Sequence, residues 1–162
     1  MSGPGRLEAE LAAALERLLA GVPGTANGDL VAAVRPTALG WATVELDRAA
    51  RELGRGVPGS GPFEPAPEDE LLGAGCLVGP LFDLGGGGLP SRHVRLVLLE
   101  PSTEGRLAAT LARHGEGPAA AWLDRDRPPG MAVSRPALGP FGRERLLLGG
   151  PLHGPHLLVT IG

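Results

Sequence analysis

Few residues of this chain could do chemistry, and they are scattered. His153 and His156 stand three apart in HGPH. Two imidazoles at that spacing share a metal on a helix, but Gly154 and Pro155 make this stretch a turn, and no third ligand lies nearby in sequence. His93, Glu100, His114 and Glu116 are the candidates for general acid–base work, though no pair among them has a spacing that demands catalysis. Glu64, Glu68, Asp69 and Glu70 cluster in the proline-rich run from Gly54 to Glu70, which reads as a solvated loop, with a lid as the alternative. The single cysteine, Cys76, sits in LGAGCLVG and reads as a buried small hydrophobe; alone, it makes neither an internal disulfide nor a thiolate zinc site. Gly85 to Gly88 follow no Gly-x-Gly-x-x-Gly pattern and open no helix, so they read as a hairpin connection and not a phosphate cradle.

What is absent excludes more. All fifteen Lys and Arg residues are Arg, and there is no Tyr. A Schiff-base lysine, a P-loop lysine and a tyrosine general acid are therefore ruled out. A net charge of -3 and an aromatic fraction of 3% leave neither a basic footprint nor a stacking platform for nucleic acid. No apolar run approaches the ~20 residues of a membrane span. Glu8, Glu10 and Glu16 interrupt the apolar residues of the N-terminus, unlike a signal peptide. The expectation is a cytoplasmic protein with no membrane or nucleic-acid partner.

The elements that must position these residues are short, as 27 Gly and 17 Pro among 162 residues require. Residues 3–21 predict a helix with a leucine stripe of Leu7, Leu11, Leu15, Leu18 and Leu19, either packed on the domain edge or used as a dimer contact. Residues 30–46 read as extended. A helix follows over RAARELG, capped by Asp47. Leu71 to Val78 and His93 to Glu100 are strands, the second stopped by Pro101. Ser102 or Thr103 then caps a helix with Glu104 in its first turn, ended by Arg113, His114 and the left-handed exit of Gly115. Pro118 to Leu123 is a strand, and Met131–Ser134, Arg145–Leu148 and His156–Ile161 are three more.

At LLEPSTEGRLAATLARHGEG the chain resembles the vicinal oxygen chelate superfamily, the glyoxalase, bleomycin-resistance and extradiol-dioxygenase group, and looks most like methylmalonyl-CoA epimerases. WATVELDRAARELG is similar to that family's first strand and crossover helix, and FGRERLLLGGPLHGPHLLVTIG to its closing strands. The resemblance implies an α+β fold of paired βαβββ modules forming a curled mixed sheet around a cleft, with an extra N-terminal helix. Residues 1–29 would be that helix and a loop, and residues 30–162 a single glyoxalase-like domain. Module one would span about 30–101 and module two about 118–162. The resemblance also implies a metal held from the first and last strands of both modules. This chain departs there: Ala38 to Thr43, Val97, Ala119 to Ala121 and Leu158 to Thr160 stand at the four positions. A divalent ion needs at least three good donors, so neither a metal nor another cofactor is expected. The crossover helix of module two also looks lost, since only LDRDRPPG separates its first two strands.

Three readings follow. In the first, a metal-free glyoxalase- or bleomycin-resistance-like protein binds a small organic ligand without turnover. Strand alternation from Val97 places His93 and Arg95 on the cleft side, with Trp122 beside Ala120. Together with Trp41 they would line an apolar pocket with one fixed cation, suited to a planar or anionic ligand, unless Arg95 is spent in a surface ion pair. In the second, the chain is a lyase, isomerase or epimerase of the same superfamily acting on a small carbonyl or thioester; no catalytic residue is assigned. In the third it is a homodimeric interaction protein.

Overall fold

The computed structural model describes residues 4–20, 36–55, 62–83, 93–124, 132–148 and 155–161. Eight strands form one sheet: β1 (Pro36–Ala42), β2 (Glu64–Asp69), β3 (Ala74–Asp83), β4 (His93–Pro101), β5 (Gly117–Leu123), β6 (Ala137–Gly139), β7 (Gly142–Leu146) and β8 (His156–Thr160). Among the described residues three helices accompany them: α1 (Pro4–Ala20), α2 (Leu46–Arg55) and α3 (Arg106–His114). The strand order is β2-β3-β4-β1-β5-β8-β7-β6. In each half the first strand lies parallel to the last, β1 to β4 and β5 to β8, and the halves meet where β1 runs antiparallel to β5. This is the curled mixed α+β sheet with an added N-terminal helix. At its far edges, Glu70 N–H donates to Leu138 O at 3.0 Å, and Leu138 N–H to the Glu70 carboxylate at 3.2 Å, so the sheet curls almost shut.

Two apolar clusters account for the packing. On the convex face Leu39, Leu96, Leu98, Leu123 and Val159 bury against Leu11, Leu15 and Leu18 of α1 and Ala49 of α2. These three leucines thus find their partner within the chain. On the concave face Ala38, Val97, Leu99, Ala120, Trp122 and Leu158 bury beneath Leu107 of α3. β4 alternates Val94, Leu96 and Leu98 toward one cluster with Val97 and Leu99 toward the other, which is why its sequence is apolar at both parities.

Several elements differ from expectation. The acidic run is not all loop: Glu64–Asp69 is an edge strand. Pro65 and Pro67 are tolerated because an edge strand leaves one row of backbone groups unpaired, and the pairing with β3 shifts between Ala66 and Asp69. Leu71 and Leu72 lie in the turn before β3, whose Gly73 has φ +68°, a conformation that disfavours a side chain. α2 begins at Leu46, so Asp47 stands in its first turn and not before it. α3 starts at Arg106 with Gly105 as its uncapped N-cap, leaving Glu104 outside the helix. Ser102 instead gives its hydroxyl to the Glu68 carboxylate. The exit at Gly115 is as expected, φ +76°, its N–H donating to Leu111 O at 2.8 Å. Toward the C-terminus, Val133 makes only a bridge to Leu147, the Arg145–Leu148 strand is shifted to Gly142–Leu146, and β6 was not foreseen. The tetraglycine run and His153 lie outside the described residues. No helix among the described residues is long and apolar enough to cross a membrane.

Candidate functional site

The concave face is where a cleft was expected. Its floor is built by alternation from Ala38, Gly40 and Ala42 on β1, Val97 and Leu99 on β4, Ala120 and Trp122 on β5, and Leu158 on β8. Trp122 fills it. The indole is fully buried, meets Phe141 edge-on with ring centroids 5.7 Å apart, and lies so close to β1 that a Cβ on Gly40 would stand 3.0 Å from its ring and 2.8 Å from Leu99. Gly40 is the residue that lets the indole in.

The donor set does not fit a divalent ion. Of the four strand positions where the resemblance implies ligands, the residues that face inward are Ala38, Ala42, Val97, Ala120 and Leu158, none a metal ligand, and no group of three His, Cys, Asp or Glu capable of holding a metal occurs among the described residues. His156 is buried at the start of β8, its Nε2 2.8 Å from Thr110 Oγ1. That hydroxyl spends its proton on Arg106 O at 2.9 Å, so the imidazole Nε2 is the donor of the pair. It packs against α3 rather than facing a metal-sized vacancy.

Two buried carboxyl groups border the same face. Glu144 on β7 accepts Trp122 Nε1–H at 2.7 Å, and Asp69 accepts the Leu72 N–H at 2.9 Å at the end of β2. Burial, then the nearness and charge of Asp69, push the Glu144 carboxyl up to about 9. Burial raises Asp69 as well. Both were missed in sequence, Asp69 as part of an acidic loop and Glu144 within the charged string GRER. Parity was the available signal: Glu144 shares its strand face with Leu146, whereas Arg143 and Arg145 do not.

Of the five residues expected to line a pocket, Val97 and Trp122 come together on the concave face. Arg95 and His93 are exposed toward the start of β4. Trp41 packs on the convex cluster, on the opposite face from Trp122, because it shares parity with Leu39 and not with Gly40. The structure does not bring the five side chains into one pocket. Glu116 is tied to the other half of the fold: one carboxylate oxygen accepts Thr43 Oγ1–H at 2.6 Å, the Val44 N–H at 2.9 Å and the Arg48 guanidinium. The Thr43 hydroxyl first, then Val44, hold it down at about 2, a range unsuited to a base at neutral pH. Cys76 is buried, its thiol pushed up to about 12 by burial.

An open groove lies at the end of the sheet, between α1 and α3. It has a volume of about 340 Å³ and is lined by apolar Ala14, Leu18 and Pro118 together with Arg17, Thr110, His114 and Glu116.

No protein-family model matches the chain, and no curated protein matches it in sequence. Solved structures do. A variant of the Streptomyces coelicolor methylmalonyl-CoA epimerase, in complex with 2-nitronate-propionyl-CoA, superposes with a TM-score of 0.55 at 21% identity over 78% of this chain and 94% of that one. Methylmalonyl-CoA epimerase from Mycobacterium tuberculosis gives 0.56 at 16% identity, over 79% and 89%. A hypothetical protein from Bacillus halodurans gives 0.52 at 13%, over 80% and 96%. Identities this low speak to architecture alone. With two halves curled into one eight-stranded sheet and epimerases among its structural neighbours, the chain has the vicinal oxygen chelate fold.

Proposed function

We propose that this chain is a metal-free protein of vicinal oxygen chelate fold that binds a small organic ligand without turning it over. One observation carries the reading: the concave face is sealed by Trp122, Val97, Leu99 and Leu158, which offer neither donors nor room. The groove between α1 and α3 is the place proposed for the ligand. Its volume falls at the lower end of the ~300–1,000 Å³ typical of ligand pockets, and apolar walls beside Arg17 and His114, with the Glu116 carboxylate already paired with Arg48, suit a small organic ligand with a polar group for Arg17. Any pairing of two copies would use a surface other than the Leu11, Leu15 and Leu18 stripe, which is spent internally.

Native mass spectrometry of the purified chain, with metal analysis on the same sample, tests this. A metal-free species with a small organic adduct that is released unchanged, and whose retention falls about tenfold in Arg17→Ala, is the expected result. A stoichiometric divalent ion would overturn it. The fold shared with epimerases favours a second reading, an isomerase or epimerase. Incubation with an acyl-CoA thioester in deuterium oxide discriminates: deuterium entering the α-carbon means turnover, and an unlabelled thioester means binding alone.

A further inference from the structure

Asp69 and Glu144 do no work in that reading, yet they sit at the one place where the curled sheet closes. Asp69 ends β2, the edge strand of the first half; Glu144 lies on β7, next to the edge strand of the second. Both are fully buried. Glu144 has one oxygen on Trp122 and Asp69 has one on the Leu72 amide, and among the described residues neither Glu144 Oε1 nor Asp69 Oδ2 has a donor. The Glu70–Leu138 bonds bring these two orphan oxygens to the same seam, and since two carboxylate oxygens repel one another, each can be satisfied by the other only through a proton. The other groups nearby cannot substitute for that proton. Glu68 and Glu70 on the same edge are acids, Cys76 on β3 is a neutral thiol, and Trp122 on β5 is already engaged. Arg143 and Arg145 flank Glu144 but alternate to the other face, where Arg145 donates to Ser134 O at 3.0 Å. Thr160 stands across from Glu144 on β8 and carries no charge.

We propose that Asp69 and Glu144 share one proton that fastens the two ends of the sheet together, and that losing it opens the seam and uncovers Trp122. The geometry argues for a single step: one proton satisfies both orphan oxygens, and its loss leaves two like charges in contact within a buried site. The Glu70–Leu138 pair alone would then hold the edges.

The composition makes the proton countable. With no lysine and no tyrosine in the chain, the other groups that titrate near about pH 8 to about 11 are the terminal amine at the low end and the Cys76 thiol at the high end, the latter removed by carrying every chain compared in a Cys76→Ala background. Difference potentiometry between the native chain and Glu144→Gln over that window should show about one more proton released by the native chain. In the same window the indole fluorescence of the native chain should shift to the red, while Glu144→Gln, whose amide donates to Asp69 and accepts from Trp122 at every pH, should not shift. If Glu144→Gln does not fold, Asp69→Asn puts the amide on the other side of the same bond and takes its place. Identical proton counts, or a red shift that persists in the amide variant, would overturn the proposal. An extra proton released without any fluorescence shift would overturn the opening step.

Discussion

Trp122→Ala separates a filled core from an open cleft. The indole is fully buried, packs edge-on against Phe141 and donates to Glu144 at 2.7 Å. Truncating a large buried aromatic costs about 3–5 kcal/mol. Stripping a buried carboxyl of its donor adds roughly 1–3 kcal/mol. The total is comparable to the whole stability of a domain, about 5–15 kcal/mol, so the variant is best examined in the cold or in stabilising osmolyte. Trp122→Phe keeps most of the ring and loses the N–H, and should forfeit chiefly the smaller, polar share. The assay is equilibrium urea unfolding followed by far-ultraviolet circular dichroism. The hole left by alanine is lined by Gly40, Leu99, Ala120 and Leu158 with the Glu144 carboxyl at one end, so free indole, whose N–H can return to that carboxyl, should enter it. At ten times its dissociation constant indole would restore about 1.4 kcal/mol. A loss below about 1 kcal/mol for Trp122→Ala, with no response to indole, is what a side chain lining a water-filled cleft gives. That result would remove the support for a sealed concave face and with it the proposed function.

Other expectations are simpler. Gly40→Val forces methyl groups into Leu99, Ala120 and Trp122 and should cost at least about 1–3 kcal/mol, read as a lower thermal midpoint; an unchanged midpoint would mean the indole is not seated there. Leu15→Ala should cost about 2–5 kcal/mol independently of protein concentration, because that leucine is buried within one chain; a loss that grows on dilution would place it in a dimer contact. Glu116 has its folded pKa depressed, so the stability it contributes is complete above the ordinary carboxylate value of 4.5 and is lost as pH falls toward about 2. Being partly exposed it is worth about 1 kcal/mol or less, so urea midpoints at neutral and strongly acid pH should differ by less in Glu116→Gln than in the native chain, and equal differences would dismiss the clamp.

The central strand, its helix and the strand after it were legible because each carries its own punctuation: Pro101 ends β4 and Gly115 ends α3. The N-terminal stripe was equally plain, since three of its leucines lie on one buried face. Register and tertiary contact were not visible. Trp41 and Trp122 both looked like pocket walls, but β1 pairs with β5 through two register shifts, and only the assembled sheet shows which parity of β1 faces inward. β2 hid behind prolines that an edge strand accepts. Asp69 stands on one edge strand and Glu144 on the strand next to the opposite edge, and no local pattern foretells that the curl brings their strands to one seam.

β1 lies at the centre of the sheet, between β4 and β5, yet of the described strands it is the first the ribosome releases. Until β4 follows, it is an apolar ribbon with both hydrogen-bonding edges bare, waiting for partners that lie far downstream. The nearer partner arrives only with β4, and the second edge stays uncovered until Leu123 has emerged. Closing such distant pairs costs loop entropy before it returns any contact, so this topology folds late and slowly compared with a helical chain of its length. α1 is made even earlier than β1 and packs on the same central strands, so its leucines too lack a surface during that interval. Nascent fragments ending before β5 should therefore be captured by holdase chaperones or aggregate, and the full-length chain should owe its yield to how quickly β5 reaches β1.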